Sequence, residues 1–277
     1  MNTTLTTSRR RGELVAYFVL AYAISWAIWI PIVLSVHDII SLEVPQALYY
    51  LGSFGPLFAA LIVTLAMEGL SGVRRLFSGL AKWRVGRGYA LFAVLSPLVL
   101  FAVAVIASRI IQGAWPNLRL LGQVDYLPYL GVLPVLGLWL LTYGFGEEMG
   151  WRGFALPRMQ ATRSAFSASL LLGVLWAFWH FPAFFFRDTY TAMGILIVFQ
   201  SVSVLAASCV ITWLYNGTQG SLLMVILFHG LFDLLSVSSA GGDYAAIIMS
   251  ALIVFWAVRV VNVYGRANLA PEEKVVI

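Results

Sequence analysis

Charge is what this sequence has least of. Its 277 residues include only 17 Lys and Arg and 12 Asp and Glu, so 10% are charged while 61% are hydrophobic. Soluble domains average about 25% charged residues. At a mean hydropathy of +0.90, no water-soluble interior of this size hides so many apolar side chains. Cysteine is scarce too. The lone Cys209 lies inside an apolar run, so no intrachain disulfide forms and the residue reads as a small buried hydrophobe. The sequence has no HExxH segment, internal repeat, low-complexity stretch or separate soluble domain. Its apolar runs are continuous rather than alternating, which argues against a β-barrel. The first run is longer than a signal h-region and lacks a small-residue cleavage site, so no cleavable signal peptide is expected. These absences leave an all-α, polytopic membrane protein, with residues 1–277 forming one integral membrane domain.

Eight candidate spans are present, at roughly 13–36, 46–66, 89–108, 129–154, 164–186, 191–214, 221–238 and 243–264, each near the ~20 residues that cross a bilayer. The basic residues test that count. Fourteen of the 17 fall in alternate segments: Arg9, Arg10, Arg11; Arg74, Arg75, Lys82, Arg84, Arg87; Arg152, Arg158, Arg163; and Arg259, Arg266, Lys274. Only Arg109, Arg119 and Arg187 fall in the others. The positive-inside rule then places both termini in the cytoplasm of a cell-membrane protein. The +5 net charge is thus a topology signal, and no nucleic-acid partner is expected. Between Glu68 and Gly88, Leu70, Val73, Leu76, Phe77, Leu80 and Trp83 recur at helical spacing with Arg74, Arg75 and Lys82 between them. This predicts a basic amphipathic helix on the cytoplasmic surface.

Few ionisable residues lie within the spans: Glu147, Glu148, Arg152, His180, His229 and Asp233. Charge in lipid is costly, and such residues usually face a bundle interior or wet cavity and pair with one another. At 1.5 Å per residue, with the fourth span ending near Leu156–Pro157, Glu147 lies about 15 Å from the cytoplasmic end. His180, His229 and Asp233 lie about 24, 12 and 18 Å in. A common layer in the cytoplasmic half or midplane is expected, formed by the fourth, fifth and seventh spans. Glu148 and Arg152 are four apart and form an ion pair on one helix face, while Glu147 points about 100° away and is left for other work. His229 and Asp233 are also four apart, so the carboxylate can orient the imidazole. Gly144, Gly146, Gly150 and Gly153 permit close helix approach or backbone access. Singly, each feature has a plainer account: a structural ion pair, a core histidine bonded to backbone, a polar clamp between helices. Their shared depth favours a functional site.

Glu147-Glu148-x-x-x-Arg152, Trp176-x-x-x-His180 and His229-x-x-x-Asp233 resemble, in order and spacing, the EExxxR, FxxxH and HxxxN/D motifs of the CPBP family. This family comprises the type II CAAX prenyl endopeptidases and the bacteriocin-processing and self-immunity proteins. The resemblance covers roughly Leu130–Leu235, inside a motif-bearing core at about 129–238, and the first three spans and the last carry no matching motif. It implies an intramembrane endopeptidase acting on a membrane-associated or lipidated peptide or protein, with no metal required. In that scheme Glu147 and His180 activate a water, His229 and Asp233 stabilise the oxyanion, and Glu148 and Arg152 hold the site together. Trp176 replaces the family's Phe, aromatic for aromatic, and puts little in doubt. Asp233 in place of Asn matters more, because an ionised carboxylate only accepts hydrogen bonds. Asp233 is therefore expected to orient His229 instead. A catalytic Zn²⁺ held by Glu147, His180 and His229 is the metal-dependent alternative. A proton- or ion-coupled transporter, or a non-catalytic immunity or scaffold protein, would also use buried polar groups, although no repeated halves support a transporter.

Overall fold

The computed structural model describes residues 2–277, with side chains from Arg10 onward. The Arg9 side chain of the basic N-terminal cluster therefore lies outside the described residues. These residues form helices and turns without a strand. Eight main helices follow the apolar runs: α1, Asn2–Val36; α2, Gly55–Ser78; α3, Arg87–Gln112; α4, over 132–160; α5, Ala165–Trp179; α6, Leu196–Gly217; α7, Leu222–Ser236; and α8, Ala245–Asn268.

By length and composition, five stretches suffice to cross a bilayer: Arg10–Val36, Gln46–Ala81, Arg87–Gln112, Leu196–Gly217 and Ala245–Asn268. The other three helices are the ones that carry the motifs. α5 and α7 have 15 residues each, or about 22 Å. α4 is not a continuous α-helix. Its α pieces alternate with π turns at Leu140–Glu147 and Trp151–Ala155. Regular 3.6-residue periodicity does not anticipate those turns, which recur where helices serve function. The sequence places the end of the fourth span at Pro157, but the helix runs on to Gln160. Proline is tolerated because it enters at the start of the new α piece Leu156–Gln160, where a missing N–H costs little.

Two serine caps set where α5 and α7 begin. Ser164 Oγ accepts from Ser167 N and Ser221 Oγ accepts from Met224 N, each satisfying an orphan donor of a first turn. The expected amphipathic surface helix is only partly helical. The helix breaks at Gly69 (φ 65°), resumes to Ser78 and closes in a 3₁₀ turn, Gly79–Ala81. Residues 82–86 are not helical.

The bundle has two distinct ends. At one, Lys82 donates to Gln219 O (2.6 Å), Lys274 donates to Arg163 O (2.6 Å), and Arg158 pairs with Glu13 (3.3 Å) and Glu68. Here a C-terminal tail docks, with Gln160 Nε2 bonded to Val275 O (2.7 Å) and Asn216 Nδ2 to Asn268 O (2.8 Å). At the other end, Gln112 bonds Asp243 (2.8 Å), Ser108 bonds Gly241 O (3.1 Å) and Tyr126 bonds Phe186 O (3.2 Å). Large side chains such as Trp29, Trp151, Trp179 and Phe154 fill the interior. Val19 of α1, Ile110 of α3 and Phe255 of α8 project outward, as a lipid-facing surface does.

Candidate active site

α4 reaches the bundle interior because it has little bulk on two faces. A Cβ on Gly146 would lie 2.8 Å from Ser53 O, and one on Gly150 would lie 2.5 Å from Pro56 O. The glycines thus serve close helix approach. They let the π turn bring Glu147, 1% exposed, and Glu148, fully buried, into the centre.

The predicted pair is present: Arg152 Nη1 donates to Glu148 Oε1 at 2.8 Å, and both side chains are fully buried. Arg152 also donates to Ser208 Oγ (3.3 Å) and stacks over the Trp176 ring, 4.9 Å to its centroid. Ser208 in turn donates to Ser169 O (2.9 Å). His229 lies between two carboxylates. Its Nδ1 is 2.7 Å from Glu148 Oε1 and its Nε2 is 3.2 Å from Asp233 Oδ2. Glu147 points elsewhere, its Oε2 accepting from the indoles of Trp176 (2.8 Å) and Trp151 (3.4 Å).

His180 closes α5 as its C-terminal cap, with Nδ1 2.8 Å from Trp176 O. A carbonyl only accepts, so Nδ1 carries the hydrogen and Nε2 is the ring's acceptor. α1 pins that end of α5. Trp26 Nε1 donates to Trp179 O (2.9 Å), and Trp179 Nε1 donates to Ser25 Oγ (2.8 Å), which donates to Gly52 O (2.7 Å). Polar bonds of this kind act as glue between helices in lipid.

Beside this cluster is a cavity of about 70 Å³ whose wall includes Trp176, His180, His229 and Asp233. Glu147 is not part of that wall, because the Trp176 indole stands over it. The cavity wall also holds Arg187, Thr189, Ser236 and Val237. A groove sharing Thr189, Ser236 and Val237 continues to Asp243 and Tyr244. The site therefore faces the end of the bundle away from Lys82, Arg158 and Lys274. Against the layer expected in the cytoplasmic half or midplane, Glu147 stands midway along α4, while His180 at the end of α5 and Asp233 three residues before the end of α7 lie towards the end away from Lys82.

Residues 128–235 match the sequence model of the type II CAAX prenyl endopeptidase Rce1-like family. The matched segment is about two fifths of the chain and carries all three motifs. A curated relative, CAAX prenyl protease 2 of Methanococcus maripaludis, is 38% identical over 110 residues, covering 37% of this chain and 39% of that protein. The match thus spans about two fifths of the relative's length. Within the matched segment, the structure brings all six expected residues, Glu147, Glu148, Arg152, His180, His229 and Asp233, into one region.

Glu147, His180 and His229 are not arranged as a metal-binding set. Among the described residues no three His, Cys, Asp or Glu side chains form a group able to hold a metal ion. Both nitrogens of His229 face carboxylates, and Glu147 Oε2 is held by indoles.

Sequence reasoning missed the part played by Trp176. At that motif position its N–H makes a bond to Glu147 that a phenylalanine lacks, while its carbonyl holds His180. Trp151, Ser208 and Arg187 were missed as well. Trp151 follows the acidic pair by three residues, and its ring nitrogen needs a partner when buried, a signal available in the sequence.

Proposed function

We propose that the protein is an intramembrane endopeptidase that hydrolyses a peptide bond in a membrane-associated or lipidated peptide. The reading rests on the convergence of Glu147, His180 and His229 around Trp176, within the segment that matches the Rce1-like family. Amide hydrolysis needs a base for water, a donor for the oxyanion and an acid for the leaving amine. Glu147 and His180 activate the water. His180 Nε2 takes its proton on the cavity wall and later returns it to the amine. Glu147 adds its negative charge from beneath the Trp176 indole, which gives way as substrate enters. His229 Nε2–H passes from Asp233, the more distant and more exposed of its two carboxylate partners, to the oxyanion as that forms. Asp233 and Glu148, one at each ring nitrogen, hold the imidazole as a donor. Arg152 keeps Glu148 in place.

The relative's name points to prenylated CAAX substrates. The cavity's position favours a second class. The positive-inside rule assigns the end with Lys82, Arg158 and Lys274, and with it both termini, to the cytoplasm. The cavity then faces the exterior, and a precursor peptide exported across the membrane reaches it without crossing back. Purified, reconstituted protein assayed on quenched fluorogenic peptides tests the chemistry. Glu147→Ala is expected to lower turnover roughly 100-fold or more, whereas equal turnover would remove Glu147 from the mechanism.

A further inference from the structure

A second opening lies at the end of the bundle that holds Lys274. A groove of about 490 Å³ runs between α1 and α5 against the end of α4, and it shares no residue with the cavity at His180 and His229. Its mouth is basic. Arg10, Arg11, Arg158 and Arg163 line it, and no acidic residue does. Arg158 is already occupied, its three nitrogens donating to Glu13, Phe154 O and Glu68. The other three guanidiniums pair with no carboxylate among the described residues. Arg163 Nη1 donates to the neighbouring Thr162 hydroxyl at 3.2 Å. α5 begins two residues after Arg163, and a helix N-terminus adds positive partial charge at the same place.

Behind the mouth the groove is apolar. Leu14, Val15, Phe18 and Val19 supply the α1 wall, and Leu171 and Leu175 supply the α5 wall. The groove follows α1 for about 12 Å beyond Arg11 and α5 for about 15 Å from its first residue. Half of a ~30 Å hydrocarbon core has the same depth. At Leu175 the two helices are joined, Tyr22 Oη donating to Leu175 O. Val15, Val19 and Leu171 are exposed, so the groove is open to the bilayer from the side. An apolar slot alone admits any acyl chain. Three guanidiniums without a counter-ion at its polar end select the head, because a guanidinium fork matches a phosphate. Basic pockets between helices hold anionic headgroups in this way.

We propose that the groove between α1 and α5 is a binding site for one anionic phospholipid, its phosphate at Arg10, Arg11 and Arg163 and an acyl chain along Val15, Val19 and Leu171. The bound lipid bridges α1 to the corner where α4 passes into α5. The proposal stands apart from the peptidase reading and does not depend on it.

The full protein, delipidated in detergent, is titrated with dioleoylphosphatidylglycerol or dioleoylphosphatidylcholine, and native mass spectrometry reads the first lipid retained. Phosphatidylglycerol is expected to bind roughly tenfold or more tightly. The combined Arg10→Gln, Arg11→Gln and Arg163→Gln variant loses that preference. Arg74→Gln with Arg84→Gln, exposed arginines outside the groove, keeps it. Val15→Trp fills the slot from an exposed position and weakens phosphatidylglycerol binding at least threefold. Size-exclusion chromatography confirms that each variant is folded. Equal binding of the two lipids to the wild type, or an unchanged preference in the triple variant, would overturn the site. Equal loss in the Arg74 and Arg84 control would reduce it to the general attraction of a basic surface. Full displacement of the lipid by inorganic phosphate, or unaltered binding in Val15→Trp, would remove the acyl chain from the groove and leave an anion pocket in its place.

Discussion

Trp176 is the residue on which most of the site's geometry turns. Its N–H holds Glu147 and its carbonyl holds His180, while its ring lies 5.1 Å from His229 and under Arg152. Trp176→Phe keeps the ring and deletes one hydrogen bond to a carboxylate. Such bonds are worth about 1.5–3 kcal/mol, so the expected result is a turnover some 10- to 100-fold lower with substrate affinity little changed, read from kcat and KM on a fluorogenic peptide. The buried Glu148–Arg152 pair predicts a different outcome. Arg152→Met leaves Glu148 and His229 without their cation, and breaking a buried pair on one side costs about 3–5 kcal/mol. A lower unfolding temperature in detergent is expected, together with loss of activity. The pair itself was legible from a spacing of four on a helix. The indole bond was not, because a motif position records residue type and says nothing of where a ring nitrogen points.

Among the elements, the three helices that carry the motifs are the irregular ones. α5 and α7 are short, and α4 contains two π turns. Hydropathy found all three runs and placed their polar residues near one another in depth. It treated each as a uniform rod, so it could not register where serine caps start a helix, where a π turn rotates Glu147, or that Pro157 begins a piece instead of ending one. Those events depend on neighbouring helices. Gly150 shows how: Pro56 O and Tyr17 Oη occupy the space its side chain would fill, each 2.5 Å from where a Cβ would stand. Gly150→Ala is expected to push α4 from α2, losing folded protein in size-exclusion chromatography, while Gly137→Ala, which meets nothing within 4 Å, is tolerated.

For the whole molecule, the gathering of basic residues at one end of the bundle followed from counting alternate loops. The position of the cavity at the other end did not, since it depends on which helices are short. The arrangement predicts a labelling pattern. In a Cys209→Ala background, a cysteine at Asp243 reacts with a membrane-impermeant maleimide in intact cells, and one at Lys82 reacts only after lysis. The reverse pattern would turn the protein over and open the cavity to the cytoplasm.

The docked tail carries a practical consequence. Val275 N–H and C=O are both taken, by Asn216 Oδ1 at 3.2 Å and Gln160 Nε2 at 2.7 Å, so the tail buttons the end of α6 to the end of α4, the helix that carries the acidic pair. A purification handle fused just behind Val275 would tug on that button and, through it, on the acidic helix. The turn at Ile39–Leu42, where both apolar side chains are already 66% exposed, offers an attachment point that leaves the fastening alone.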